Sequence, residues 1–563
     1  MKQLMLAGAA TAALLIPRPA RAQNPAEVVL TGGAVYTMDA RRSWAQAVAI
    51  RGGRIVYVGS DAGARPWVGP ATRVVPLGGR MVLPGFQDAH VHPVSGGIEL
   101  GQCDLNTLET RDAIVEKVRA CAGAQAGRPW VVGGGWALPA FPGGAPTREL
   151  LDALVPDRPA YLSAADGHSA WVNSEALRRA GVTAATPDPV GGRIERDATG
   201  EPTGTLRESA NDLVARLLPA ITAAERVAGL QRALALFAGF GITAVQEASA
   251  GRAALEAYRD AERSGALTLR VTVALSTDPA QGPEQVAGLV TLREEFTSAR
   301  LRPTAAKIFA DGVIEARTAA MLDPYLDRPG QRGEPNLPKG RLHALVARLV
   351  EDGFAVHIHA IGDGAVRSAL DALEAAGVRA GADGRHQLAH IQVIDRQDVP
   401  RFRALGVIAN FQPLWAQADM YVTELTVPAL GPERTRRLYP IAEVAAAGGL
   451  IAFGSDWSVS SPNPLEGIQV ALTRQAPKAP RTPPLLPEQA IDLPAALAAY
   501  TIGAAQANGL AQDTGSLEAG KAADLIVLST NLFALPPDQI ATARVLLTLV
   551  EGRPVFRSPE LDW

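Results

Sequence analysis

With 563 residues, 47% hydrophobic and 20% charged, the chain can bury a large core and should divide into more than one domain. A net charge of −3 and a pI near 6.3 give no basic field that would gather nucleic acid, so nucleic acid and polyanion partners are disfavoured. Two cysteines, Cys103 and Cys121, are too few for a disulfide framework or a thiolate zinc knuckle; they could pair in an oxidising compartment, but two ordinary buried thiols are the expected state.

The first 22 residues read as an export signal. Lys2 precedes an apolar stretch from Leu4 to Ile16, and Ala20-Arg21-Ala22 offers small residues for cleavage before Gln23. The stretch is too short to span a bilayer comfortably and no cysteine follows for lipid attachment, so a secreted or periplasmic protein without a membrane span is expected.

From Glu27 to about Leu83 the pattern is short strands broken by glycine, with Gly32-Gly33 and Gly52-Gly53 as hairpin turns. The far end looks alike, from Ala523-Asp524-Leu525 to Val545–Phe556. Neither end has enough strands to close a sheet alone, so residues 23–84 and 505–563 should complete one β-sandwich together.

Between them, residues 85–504 repeat a strand and helix pattern. Candidate strands are Phe86–His92, Ile242–Glu247, Leu269–Ser276, Ala305–Asp311, Phe354–Ala360, His386–Ile391, Val407–Gln412 and Leu450–Asp456. Eight strands joined by alanine- and leucine-rich helices predict a (β/α)₈ barrel of the TIM type, whose active site lies at the strand C-terminal ends. A doubly wound open sheet is disfavoured because its glycine-rich phosphate fingerprint is missing. About 150 residues separate the first two strands, far more than a βα connection needs, which predicts an inserted subdomain over about 105–235.

Polar residues sit where the barrel would open. The first strand ends in His90-Val91-His92, and period-two alternation puts both imidazoles, with Asp88, on one side. Two such rings can share one divalent ion if other strands supply more ligands. Later strand ends offer Lys307, His357 and His359, His386 and His390, and Asp456. Six of the chain's eight histidines fall on the first, fifth and sixth strands, which core packing does not readily produce.

The order His-x-His, Lys, His, His, Asp on successive strands resembles the amidohydrolase superfamily. The phrases Leu83-Pro84-Gly85-Phe86-Gln87-Asp88-Ala89-His90-Val91-His92, Lys307-Ile308-Phe309-Ala310-Asp311-Gly312, His359-Ala360-Ile361-Gly362-Asp363, Gly454-Ser455-Asp456 and Gly520-Lys521-Ala522-Ala523-Asp524-Leu525 are similar to its family 3, the YtcJ-like group that includes N-substituted formamide deformylase. The resemblance implies metal ligands His90, His92, His359, His390 and Asp456, with Lys307 carboxylated and bridging two ions; an unmodified Lys307 implies one ion. Zn²⁺ is the expected metal. His357 and His386 are expected behind or away from the ligands.

The implied reaction is attack of metal-activated water on a C–N bond of a non-peptide amide, of the N-acyl, formamide or cyclic amide type, with Asp456 moving the proton. Esters, lactones or deamination substrates fit the same chemistry, and a non-catalytic periplasmic binder is the alternative of a different class. His168, in the insertion, is expected either to reach the barrel mouth and orient the substrate or to make a local hydrogen bond. Trp136, Trp415 and Trp457 are pocket-wall candidates, Trp415 foremost. A homo-oligomer is compatible with all of this.

Overall fold

The computed structural model describes residues 24–106, 108–381, 385–477 and 482–563. The export signal over residues 1–22 lies outside them. No helix among the described residues is long and apolar enough to cross a membrane.

The centre is a parallel barrel of β1 (Phe86–Val91), β2 (Ile242–Ala250), β3 (Arg270–Ser276), β4 (Leu301–Phe309), β5 (Ala355–Ala360), β6 (Gln387–His390), β7 (Ile408–Phe411) and β8 (Leu450–Phe453), each bonded to the next. These runs lack the apolar and polar alternation of a half-exposed strand because helices cover the outside and side chains fill the inside. The seam from β8 back to β1 is closed just beyond the strand ends: the Asp456 amide donates to His90 O at 2.7 Å and the His92 amide to Trp457 O at 2.9 Å. Gly454 permits this approach, since a Cβ there would meet the His90 nitrogen at 2.6 Å.

Connecting helices carry ordinary start signals. The helix Ala223–Gly239 begins with a capping box in which Thr222 and Glu225 satisfy each other's amides, and it packs Leu230, Ala233, Leu234 and Phe237 into the barrel core.

Two sheets flank the barrel. One orders Arg54–Gly59, Ala47–Arg51, Val28–Thr31 and Arg73–Pro76; the other orders Arg553–Arg557, Val545–Val550, Leu525–Leu528, Met81–Pro84, Ala34–Tyr36 and Trp44–Ala45. Both chain ends contribute to the second sheet, and one core joins Leu30, Val48 and Ile55 to Leu525, Val527 and Leu547. Gly52-Gly53 does form the tight hairpin turn, at φ 58° and 74°. Gly32-Gly33 does not: Val28–Thr31 and Ala34–Tyr36 on its two sides belong to different sheets, so the chain crosses between layers there.

The insertion between β1 and β2 builds its own six-stranded sheet, ordered Gly192–Arg196, Pro202–Glu208, Ser169–Val172, Ala160–Ala164, Val131–Trp136 and Cys103–Asp104, with hydrophobic clusters of its own. Cys103 and Cys121 are not separate thiols. They form a disulfide, because the edge strand Cys103–Asp104 and the helix Arg111–Ala124 bring their Cα atoms to 5.5 Å.

Candidate metal centre

The barrel register collects the polar strand ends. Lys307 is level with His357, Phe309 with His359, and Ala360 with His390. Several of these positions leave the strands in left-handed backbone, His390 at φ 77°, Ile391 at 46° and Asp456 at 53°. Such conformations are costly for non-glycine residues and are held where the surroundings over-determine them.

Asp456 is the meeting point. Its Oδ1 lies 3.1 Å from His92 Nε2 and 3.5 Å from His90 Nε2, and His390 Nδ1 is 3.9 Å from its Oδ2. One ligand atom from each of His90, His92 and Asp456 lies within 4.8 Å of the others. Asp456 Oδ1 is buried and receives no hydrogen bond. A buried carboxylate oxygen left between two imidazoles is expensive unless a cation joins it, so this donor set fits a divalent metal.

Burial pushes the imidazoles of His90, His357, His359 and His390 well below the usual histidine range, leaving lone pairs free for a metal. His92 differs. Burial opposes its protonation, yet the neighbouring carboxylates of Asp456 and Glu247 raise it to about 9, with Glu247 Oε1 3.6 Å from its Nδ1. Lys307 is buried with Nζ 3.3 Å from His90 Nε2, and burial lowers its ammonium to about 7 despite the attraction of Asp456.

The remaining predicted residues separate. His359 and His390 stand with ring centroids 4.6 Å apart, but His359 Nε2 is turned to Gly312 O at 3.1 Å and is not in the three-residue cluster. His357 lies behind His90, its Nε2 2.8 Å from His90 Nδ1. His386 accepts from the Val356 amide at 3.1 Å, among the strand starts. Asp88 shares the face of His90 and His92 but sits deeper, accepting from the His90 and Ser455 amides at 3.0 and 3.1 Å and so fastening the seam.

His168 reaches the barrel mouth, its ring centroid 5.2 Å from that of His359, and it also makes the local bond that was the alternative: Nδ1 is 2.8 Å from Glu208 Oε2. Burial disfavours its charge, but Glu208 raises it to about 9. Trp415 lines a cavity of about 270 Å³ with His168, His390 and Asp456 and stacks on His390 at an interplanar angle of 2°. Trp136 does not line this cavity. It is fully buried in the insertion core, donating to Leu162 O at 2.9 Å, because its strand turns it inward. Trp457 is likewise packing, against Phe237 and the face of Gly96.

Glu247, Glu208, Gln412 and Asp311 are participants that sequence reasoning assigned no part. Gln412 Oε1 meets His390 Nδ1 at 2.8 Å. Asp311 accepts from the Ile361 and Gly362 amides at 3.0 and 2.9 Å and so fixes the loop that follows His359. Glu247, Gln412 and Asp311 carry the signal of a polar residue at or just past a barrel strand end; Glu208 carries none.

The amidohydrolase family matches residues 73–556. The chain belongs to the amidohydrolase family. It is 33% identical over 546 residues to the protein LONG AFTER FAR-RED 3 of Arabidopsis thaliana, covering 94% of this chain and 92% of that one. It is 31% identical over 546 residues to N-substituted formamide deformylase of Arthrobacter pascens, covering 93% and 97%. An uncharacterized metal-dependent hydrolase from Pyrococcus furiosus superposes with a TM-score of 0.69 at 28% identity, over 90% of this chain and 99% of that one. These similarities make this amidohydrolase a metal-binding hydrolase on a TIM-like barrel.

Proposed function

We propose that this amidohydrolase is an exported enzyme that hydrolyses the C–N bond of a non-peptide amide, of the N-acyl, formamide or cyclic amide type, at a zinc site containing carboxylated Lys307. The carrying observation is Asp456: an unpartnered buried oxygen between His90 and His92, on a residue that lines a cavity of about 270 Å³. The likeness to a formamide deformylase supports the amide class, and the disulfide between Cys103 and Cys121 supports an oxidising compartment.

His90, His92 and Asp456 would hold one ion, and His359 and His390, with a carboxylated Lys307, a second. A bound Zn²⁺ supplies Lewis acidity that acidifies water and polarises a carbonyl. Asp456 takes a proton from the attacking water as the oxygen adds to the carbonyl carbon, then gives it to the leaving nitrogen as the C–N bond breaks, releasing acid and amine. His168, charged and held by Glu208, donates from Nε2 toward the carbonyl oxygen.

The test is metal analysis of purified protein with a hydrolysis screen over N-acyl amines, esters and lactones, using His90→Ala and Asp456→Asn as controls. Bound zinc, amide turnover and its loss in both variants are expected. Equal activity of wild type and both variants would overturn the site, and turnover confined to esters would overturn the amide assignment. Secretion is checked by fractionating cells that express the full chain.

A further inference from the structure

The cavity beside the Asp456 cluster has a second chemical character. It is lined by residues of the insertion and of the segment 414–421, and Glu109, Asp166, Glu315 and Asp419 all face it, while no lining residue is Lys or Arg. Among the described residues none of these four carboxylates forms an ion pair. His168 is the charged base of the wall, and Glu208 already neutralises it.

The hydrogen bonds leave acceptors over. Glu315 uses Oε1 for Gln392 Nε2 at 2.8 Å and Thr426 Oγ1 at 2.6 Å, and its Oε2 has no donor. Asp166 uses Oδ1 for the His168 amide at 2.9 Å, while its Oδ2 is buried without a partner. Gln417 Oε1, on the same wall, is also buried and unpartnered. A wall with unpartnered buried acceptors, several carboxyl groups and no Lys or Arg is satisfied by a ligand that brings N–H donors and positive charge, and made worse by an anion or a hydrocarbon. Trp415, Tyr421 and Tyr439 line the cavity too, and aromatic faces attract cations.

We propose that this cavity selects amide substrates that carry a second, cationic nitrogen, an ammonium or guanidinium, held by Glu315 and Asp419 beside the aromatic wall. The proposal rests on the reading of this cavity as the hydrolytic site. Burial, with repulsion from Glu315 and Glu109, pushes the Asp419 carboxyl up to about 7; a bound cation relieves that repulsion and restores the carboxylate.

Two measurements on the metal-loaded full chain test it. Calorimetry compares n-butylammonium with n-butanol, and kinetics compare mono-N-formyl-1,4-diaminobutane with N-formylpentylamine. The ammonium should bind about tenfold or more tighter than the alcohol, with about fivefold or more of that lost in Glu315→Gln and in Asp419→Asn. The cationic formamide should be preferred in kcat/KM, the preference residing in KM. Equal or tighter binding of butanol, or ammonium binding unchanged in both variants, would overturn the proposal. Tight ammonium binding with neither formamide hydrolysed would support the cation site and count against the formamide chemistry instead.

Discussion

His357 Nε2 lies 2.8 Å from His90 Nδ1, so one buried imidazole stands directly behind another that faces Asp456. If His90 carries its proton on Nδ1 and donates it to His357, the Nε2 lone pair is directed at the metal position. His357→Ala should therefore weaken metal affinity by about 10- to 100-fold without abolishing binding, whereas His90→Ala should abolish it. Chelator competition and metal content check this. Affinity unchanged in His357→Ala would reduce His357 to core filling.

Much of this barrel end was legible because strand ends interrupt apolar runs with the few histidines the chain has, and their order follows the strands. What was not legible depends on register in three dimensions. His168 and Glu208 are 40 residues apart and meet where the strands Ser169–Val172 and Pro202–Glu208 pair. The left-handed turn at Asp456 and the closing seam to His90 depend on β8 meeting β1, which no local pattern announces. Trp136 and Trp415 look alike in sequence, each following a strand-like run, and only the packing separates a core tryptophan from a pocket wall.

That separation has different consequences for the two side chains. Trp136 fills the insertion core, so Trp136→Ala should destabilise the protein by about 3–5 kcal/mol. Trp415 lies half-open against His390, so Trp415→Ala should raise KM with a much smaller stability change. Denaturant unfolding read beside steady-state kinetics tests the contrast; the reverse pattern would restore Trp136 to the pocket.

Glu208 holds His168 charged, and the sign of the pH effect follows. The folded pKa of about 9 exceeds the ordinary histidine value of 6.5, so the stabilisation is fully present below 6.5 and disappears as pH rises through about 9. The two values bound the contribution at about 3 kcal/mol. Glu208→Gln should lower the His168 pKa and flatten stability against pH between those values. Histidine ¹³C NMR follows the titration directly, and a wild-type His168 titrating at or below 6.5 would contradict the pairing.

Lys307 carries the sharpest prediction. Its Nζ is buried 3.3 Å from His90 Nε2 and 4.6 Å from the centre of the Phe309 ring, a position where a fixed ammonium would repel a divalent ion. Because burial lowers it to about 7, a large fraction is the neutral amine at neutral pH. That amine can attack carbon dioxide: an N–C bond forms as one C–O π pair moves onto oxygen, the nitrogen's proton leaves to solvent, and the neutral amine becomes an anionic carbamate with two oxygen donors. Protein prepared in ¹³C-bicarbonate with metal should show a carbamate carbon resonance that Lys307→Ala lacks. The variant should also lose bound metal and fall by about 10³-fold or more in kcat/KM, equivalent to about 4 kcal/mol, with partial recovery in formate or propionate, which return oxygen donors to the gap. Lys307→Arg, which keeps the charge and cannot be carboxylated, should stay inactive under the same conditions. A metal-loaded, fully active wild type without the resonance would leave Lys307 as an uncharged neighbour of His90, and the site would then hold a single ion.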